Sequence, residues 1–151
     1  MDNIDRKMLE ILQEDSRITI IDLAKKLNLS RPSVNERFRR LQEKGIIEGF
    51  TARISHEKIG KGTLVIIQIG NLKVVCHKFE EIVKEEKAIL ECHRVTGSDS
   101  YFMKAVVSST KELEELVDRL VPYGQLNTSV VLSSPVSNRT LLPEDEFLHK
   151  N

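Results

Sequence analysis

The chain has 151 residues, of which 40% are hydrophobic and 30% charged, and its formal net charge at pH 7 is zero. This length suits one medium domain or two small ones, and the composition is ordinary for a water-soluble globular protein. No apolar run approaches the roughly 18 residues of a membrane span, and two cysteines without a disulfide framework predict a cytoplasmic protein.

Positive charge is concentrated in the first third of the chain. Residues 1–53 carry 11 Lys or Arg against 9 Asp or Glu, whereas residues 54–151 carry 12 against 14. Between Ser30 and Lys44 there are five basic residues and two acidic ones. Such a local excess favours a focused contact with an acidic partner over a wholly basic coat for nucleic acid.

The first two predicted elements are short amphipathic helices. Apolar residues recur at helical spacing over residues 4–12, and Asp2 or Asn3 can cap the start of that helix. This acidic, helix-like beginning has none of the features of a secretory signal. Thr19, followed three residues later by Asp22, resembles a capping box and predicts the start of a second helix.

A break separates the second helix from a third, as in a helix-turn-helix. Asn28 occupies the turn, where φ can be positive, and the small side chain of Ala24 permits close approach of the two helices. Ser30 is the predicted N-cap of the third helix, Pro32 lies in its first turn, and Gly45 ends it.

The third helix combines an apolar stripe of Val34, Phe38 and Leu41 with a polar face that suits a DNA major groove. Short polar side chains near its N-terminus can approach base edges, and arginines can reach guanines or phosphates. The predicted DNA-contacting residues are Ser30, Arg31, Pro32, Ser33, Asn35, Glu36, Arg37, Arg39 and Arg40.

Within this set, Arg39 and Arg40 are expected to contact phosphate or guanine, and Ser33 and Glu36 to lie nearest the bases. Two other interpretations stand beside this one. The polar face could be a solvated surface of a three-helix bundle. A helix lying on a membrane is disfavoured, because the apolar stripe is needed for the core.

The remainder of the chain predicts a wing, a linker and an α+β domain. Residues 46–54 have the pattern of a short strand pair or an extended wing, and two glycines mark a linker at residues 56–62. The order βαββαβ that follows is that of a ferredoxin-like fold. Its predicted elements are Thr63–Ile69, Cys76–Glu86, Ile89–Thr96, Ser100–Val107, Thr110–Val121 and Thr128–Leu132.

The predicted fold class is therefore α+β, with an N-terminal winged helix-turn-helix domain and a C-terminal ferredoxin-like domain. The expected boundaries are 1–55 for the first domain, 56–62 for the linker, 63–136 for the second domain and 137–151 for a polar tail.

No catalytic, metal or cofactor site is expected. Two Cys-His pairs, at residues 76–77 and 92–93, invite a metal site, but adjacent residues on a strand point to opposite faces. Cys92 is therefore expected to be buried and His93 exposed. The stretch IGKGT lacks the first glycine of a P-loop, and Ser98–Ser100 reads as a strand-connecting turn without a nearby base.

The stretches IDRKMLEILQEDSR, LAKKLNLSRPSVNERFRRLQEKGII and GFTARI resemble the DNA-binding domain of the Lrp/AsnC (feast/famine) transcription regulators. LECHRVTG, DSYFMKAVV and NTSVVLSS resemble the effector and oligomerisation domain of the same family, so the likeness covers roughly residues 2 to 134. SRPSVNERFRRL and PYGQ are similar to the LrpC-type branch.

The resemblance implies a cytoplasmic regulator that binds double-stranded DNA, pairs into dimers through its C-terminal sheets and can assemble further into octamers that wrap DNA. The alternative function is a small-molecule-binding ferredoxin-like module whose helical domain serves only assembly. Binding to duplex DNA that weakens steeply with added salt distinguishes the first function from the second.

The family also implies an effector site, at which this chain departs from its relatives. Amino-acid-responsive members carry a turn like Thr-Gly-Asp-x-Asp-Tyr, in which the second Asp can receive the ligand's ammonium. Here that position is Ser100, and the remaining carboxylate is one residue earlier, so we expect little or no response to amino acids unless the turn bulges. The expected effector residues are Thr96, Gly97, Asp99, Ser100, Tyr101, Thr128 and Ser129.

Overall fold

The structure, a computed structural model, describes residues 1–144 and has the predicted α+β class. It divides into two compact units, Met1–Ala52 with the described residues from Val136 onward, and Arg53–Pro135. The helices are α1 (Asn3–Glu14), α2 (Ile20–Leu27), α3 (Arg31–Glu43), α4 (Cys76–Glu85) and α5 (Thr110–Leu120). The strands are β1 (Thr63–Gly70), β2 (Ile89–Arg94), β3 (Asp99–Val107) and β4 (Gln125–Val130).

The three helices of the first unit begin at the residues that the capping patterns predict. Asp2 accepts hydrogen bonds from the backbone N–H groups of Ile4 and Asp5, each at 2.9 Å. Thr19 and Ser30 likewise accept from the backbone three residues ahead. The helices enclose a single apolar core centred on the fully buried side chains of Met8, Leu23, Val34 and Leu41.

The turn between α2 and α3 is the one that the sequence predicts. Asn28 has φ 54° and ψ 46°, and the N–H of Leu29 donates to the Ala24 carbonyl at 3.0 Å, which closes the end of α2. Gly45, with φ 67°, ends α3 through a similar bond from the Ile46 N–H to the Leu41 carbonyl at 2.9 Å. These two stops fix where the third helix begins and ends.

The segment after α3 is an extended wing rather than a strand pair, because none of residues 46–54 is in a strand. The ring of Phe50 stacks on that of Phe38, with centroids 5.8 Å apart and planes 16° apart. This contact holds the wing against α3 in place of a β-ladder.

The second unit is a four-stranded antiparallel sheet of order β2-β3-β1-β4, which confirms the predicted βαββαβ topology. Its core lies on one sheet face: Val65, Ile67 and Ile69 of β1 pack there with Phe79 of α4 and Leu116 of α5. The opposite face is not covered by either helix of this unit, and we call it the open face of the sheet.

The last strand begins three residues earlier than predicted. A short 3-10 turn at Val121–Tyr123 leads into Gly124, where an added Cβ would lie 2.6 Å from the Gly70 carbonyl oxygen. Because only glycine permits this approach, β4 joins β1 immediately, and Gln125 pairs with Gly70.

The two cysteines are free and half-buried. Cys92 packs against the core of its unit, and burial raises the pKa of its thiol, whereas the neighbouring His93 is exposed. The two side chains therefore diverge as predicted. Within residues 1–144, no cluster of three or more His, Cys, Asp or Glu side chains could hold a metal ion.

No helix among the described residues is both long and apolar enough to cross a membrane.

Glu112 makes stability depend on pH in the acid range. Its carboxylate pairs with Lys61 and accepts from the Ser108 hydroxyl and N–H, at 2.6 and 2.7 Å, which lowers the pKa of Glu112 to about 2. Because the folded pKa lies below the ordinary value of 4.5, this stabilisation is present above pH 4.5 and lost as the pH falls towards 2.

We therefore expect a Glu112→Gln variant to be less stable than the unaltered chain at neutral pH, with a difference that disappears between pH 4.5 and 2. Urea unfolding across this range measures it. A difference that stays constant with pH would show that the carboxylate does not titrate as described.

Candidate nucleic-acid interface

The outward face of α3 is polar and open to solvent. Val34 and Leu41 are buried, so the helix presents the side chains about half a turn away from them. Exposed among the predicted DNA-contacting residues are Ser30, Arg31, Pro32, Ser33, Asn35, Glu36 and Arg39. The first two turns combine hydroxyl, amide and guanidinium groups, which can contact base edges and phosphates.

Arg37 and Arg40 lie on a different side of α3 and are half-buried. Both reach back to the N-terminus of α1, where the carboxylate of Asp5 is only 1% exposed. Arg37 Nη1 donates to Asp5 Oδ1 at 2.7 Å and to Asp2 Oδ2 at 2.6 Å, and Arg40 Nη2 donates to Asp5 Oδ2 at 3.0 Å.

This placement corrects the sequence-based position of Arg40. A helical projection puts Arg40 opposite the apolar stripe, with Arg39, but it takes no account of where a long side chain bends. Residues three apart share a flank of a helix, so Arg40 follows Arg37 towards the two carboxylates of α1. Those carboxylates are more than thirty positions away in sequence, which is why the local pattern missed them.

The charges in this cluster are mutually stabilised. Burial disfavours the Asp2 carboxylate, but hydrogen bonds from the Asp5 N–H and the Arg37 guanidinium outweigh it and lower the pKa of Asp2. Hydrogen bonds to Asp5 and Asp2 raise the pKa of Arg37. If both arginines left for phosphates, the buried Asp5 carboxylate would lose both of its charged partners.

Arg39 is held far more loosely. Its guanidinium pairs with Glu36 at 3.0 Å and with Glu43 at 2.5 Å, along the exposed side of the same helix. Exposed pairs of this kind contribute little to stability, so a phosphate can replace them at little cost. Arg39 is therefore the arginine in the middle of α3 whose guanidinium is exposed and bonded only to exposed carboxylates.

The predicted effector residues are dispersed over the second unit. Tyr101 is 1% exposed and its hydroxyl donates to Glu80 at 2.6 Å, and burial with this bond raises the pKa of Tyr101. Thr128 pairs with Ile67 on the helix-covered face, while Ser129 pairs with Ile66 on the open face. These three residues thus face different surroundings.

A β-bulge lies where the family pattern is altered. Ile69 pairs with Tyr101, but the next residue, Gly70, pairs with Asp99, so Ser100 is the extra residue of β3. The bulge returns Asp99 to the side of the sheet that Gly70 faces. Asp99 consequently lines a shallow cavity of about 440 Å³.

Sequence reasoning missed most of this cavity. Asp99 is the one predicted effector residue that lines it, while Thr96, Gly97, Ser100, Tyr101, Thr128 and Ser129 do not. Asn71, which follows β1 with φ 47°, was the available signal, since an Asn after a strand glycine often marks a left-handed turn. The lining residues are Gly70, Asn71, Ser98, Asp99, Gln125, Leu126 and Asn127.

The open face of the sheet combines apolar and polar side chains on its two central strands, β1 and β3. Register places Leu64 and Ile66 of β1 beside Phe102 and Val106 of β3 on this face. The same two central strands also carry polar side chains on this face, since Lys104 pairs with Ile66 and Gln68 with Phe102. Lys104 Nζ donates to Glu91 at 2.8 Å, and the Asn127 side-chain amide donates to Gln68 at 2.9 Å. Apolar side chains left without a covering helix on a sheet face are typical of a protein–protein interface.

Comparison with known proteins supports both units. Residues 1–48 match the family model for winged helix-turn-helix DNA-binding domains, and residues 64–141 match the model for the Lrp/AsnC ligand binding domain. In sequence, the chain is 37% identical over 134 residues to the uncharacterized HTH-type transcriptional regulator YezC of Bacillus subtilis, covering 89% of this chain and 95% of YezC.

Solved structures agree. The structure of Bacillus subtilis LrpC superposes with a TM-score of 0.87 at 30% identity, covering 91% of this chain and 98% of LrpC. A transcriptional regulator from Neisseria meningitidis, solved as a complex with L-Met, superposes with a TM-score of 0.89 at 25% identity, covering 98% and 99% of the two chains. The chain belongs to the Lrp/AsnC family of DNA-binding transcriptional regulators.

Proposed function

We propose that the protein binds duplex DNA by placing the N-terminal half of α3 in a major groove. Ser33, Asn35 and Glu36 face the base edges, while Arg31 and Arg39 contact phosphate or guanine. Ser30 and Pro32, at the start of the helix, lie beside the backbone. Arg37 and Arg40 do not contact DNA in this proposal, because they are paired with the buried Asp5 carboxylate, and they support the position of α3. The observation that carries this proposal is the division of the α3 arginines between exposed and buried partners.

A pair of single variants tests it. Arg39→Ala is expected to weaken binding to a duplex enriched by this protein from a random pool by at least roughly 1 kcal/mol, about fivefold. Arg40→Ala is the matched control, since it removes the same charge one residue along, and its effect on affinity is expected to be smaller. Fluorescence anisotropy with circular dichroism as a folding check measures both. Equal losses, or a larger loss for Arg40→Ala, would contradict the docking.

The regulator acts as a homodimer or higher oligomer in this proposal, up to an octamer. One helix-turn-helix contacts too few bases for useful specificity, so two-fold pairing is expected, with half-sites about one helical turn apart. The apolar side chains on the open sheet face support pairing between second units. A partner sheet covers that face, and each dimer presents two α3 helices.

Amino acids are expected to affect this protein weakly. The Neisseria regulator was solved with L-Met, which shows that a related protein accommodates an amino acid. In this chain Ser100 supplies no carboxylate for an ammonium group, and Asp99 lies over Gly70, where an added Cβ would meet its Oδ1 at 3.2 Å. Losing one charge-assisted bond costs about 1.5–3 kcal/mol, roughly ten- to a hundredfold in affinity.

Calorimetry against the twenty amino acids tests the effector proposal. We expect no dissociation constant in the low micromolar range for the unaltered protein, and at least about tenfold tighter binding of some amino acid after Ser100→Asp. Asp99→Asn is the matched control, with little expected change. Low-micromolar binding by the unaltered chain, accompanied by altered DNA binding, would refute the proposal.

We place the protein in the cytoplasm, where a regulator meets chromosomal DNA, and assign it no catalytic activity or cofactor, because membership of a regulator family accounts for both units.

A further inference from the structure

Asp5 is the one buried charged side chain among residues 1–144, at 1% exposure. Both of its oxygens accept hydrogen bonds. The Asp2 N–H donates to Oδ2 at 3.3 Å, the Arg37 guanidinium donates to Oδ1, and the Arg40 guanidinium donates to Oδ2. Two of these donors are guanidinium groups from the helix that we propose enters the major groove. The buried carboxylate thus joins α1 directly to α3.

Stability alone does not account for this arrangement. Replacing a buried charge and its partners by well-packed apolar side chains is often neutral or stabilising, because the buried carboxylate has lost its hydration. Asp5 sits at the edge of a core in which Met8, Leu23 and Val34 are already fully buried. An apolar residue at position 5 could extend that core, so the contribution of Asp5 is to be sought in geometry and charge.

The geometric effect is to fix how α3 is rotated about its axis. Arg37 and Arg40 are three residues apart, and both are drawn to the N-terminus of α1. With that flank held, Ser33 and Glu36 remain exposed on the outward side of the helix. A rotation that released the arginines would move these side chains away from the position in which they can read bases.

The electrostatic effect is to remove cations from the DNA-facing surface. α3 carries four arginines, at positions 31, 37, 39 and 40, and Asp5 with Asp2 neutralises two of them. A free arginine can bind the phosphate of any sequence, which raises affinity without specificity.

We infer that Asp5 is a positioning and specificity-determining residue, which orients α3 and keeps Arg37 and Arg40 from binding phosphates indiscriminately. This inference rests on the proposed function, namely duplex binding through α3. Asp5 itself touches no DNA in this account and acts through the two arginines.

Asp5→Asn tests the inference in the full-length chain, since the amide keeps an oxygen to accept from the Asp2 N–H but loses the charge that holds Arg40. Arg37 keeps its hydrogen bond to Asp2 Oδ2, which is 2.6 Å long, so only Arg40 is released. The comparison uses two duplexes: the one selected from the random pool, and a shuffled duplex of the same base composition in a different order. On the shuffled duplex, the slope of log affinity against log salt is expected to steepen by about 0.9, the value for one additional phosphate contact. The ratio of affinities for the selected and shuffled duplexes is expected to fall by roughly tenfold or more, the reduced specificity that a misplaced α3 gives.

Two controls separate this role from simple loss of structure. Met8→Ala perturbs the same α1 core without touching the ion pairs and should leave the salt slope unchanged. Asp5→Asn combined with Arg40→Gln should return the slope to that of the unaltered protein. A folded Asp5→Asn variant with unchanged slope and unchanged affinity ratio would overturn the inference.

Arg40→Gln alone decides the matter if Asp5→Asn does not fold, because Arg37 still neutralises Asp5 in that variant. The slope on either duplex should equal that of the unaltered chain. A slope smaller by about 0.9 would mean that Arg40 contacts a phosphate, and the inference would be wrong. If the unaltered protein binds neither duplex, both the proposed function and this inference fail. That outcome is distinct from a failure of the inference alone, in which the unaltered protein binds DNA and only the slopes of the variants differ from those expected.

Discussion

An Arg37→Ala/Arg40→Ala double variant is expected to lose about 3–5 kcal/mol of unfolding free energy, the cost of leaving a buried charge without its partners. The charge in question is the Asp5 carboxylate, which is 1% exposed and receives both guanidinium groups. Each single substitution leaves one arginine in place, so each should cost much less than half of this. The two arginines therefore act as one unit.

Rescue distinguishes the buried charge from the loss of arginine packing. Adding Asp5→Asn to the double variant removes the charge while keeping an oxygen for the Asp2 N–H, and should restore much of the lost free energy. Urea unfolding followed by far-ultraviolet circular dichroism measures the unaltered chain, the two single variants, the double variant and the triple variant. If the triple variant is no more stable than the double, the loss comes from packing and not from an uncompensated carboxylate.

The second large effect concerns assembly. Phe102→Glu is expected to weaken dimerisation by at least about 100-fold, because it places a carboxylate at the centre of the open sheet face. Phe102 is 36% exposed and pairs in register with Gln68 and His93. The fold of the single chain should persist, since the substitution lies outside its core.

Val75→Glu is the matched control for this surface. Val75 is 60% exposed at the start of α4, so the change adds the same charge to the same unit away from the open face. Light scattering at micromolar concentration should show a dimer or larger species for the unaltered chain and the control, and a monomer for Phe102→Glu. A stable monomer for the unaltered chain would refute sheet pairing.

Local patterns were sufficient to predict the elements that local chemistry determines. Ser30 caps α3 with its own hydroxyl, and Asn28 takes a left-handed conformation that few other residues tolerate. The opposite orientations of Cys92 and His93 were also predicted from local geometry, because neighbouring side chains on a strand point to opposite faces of the sheet. These outcomes depend on residues within a turn or two of each other.

Features that depend on distant partners could not be predicted in this way. The position of Arg40 is decided by Asp5, 35 residues earlier in the chain, which no helical projection includes. The bulge at Ser100 appears only when β3 is laid against β1, and it determines where Asp99 points. The early start of β4 likewise requires the backbone of Gly70 beside Gly124. The exposed face of α3 was thus predicted in outline, whereas the division of its arginines between exposed and buried carboxylates was not.

Sequencing of the duplexes that the unaltered protein enriches from a random pool tests the central claim most directly. The account predicts one two-fold symmetric sequence with half-sites about one helical turn apart, bound with an affinity that falls steeply as salt is added. Enrichment of no sequence, or binding that salt does not weaken, would contradict DNA recognition by α3 and favour a helical domain that serves assembly alone.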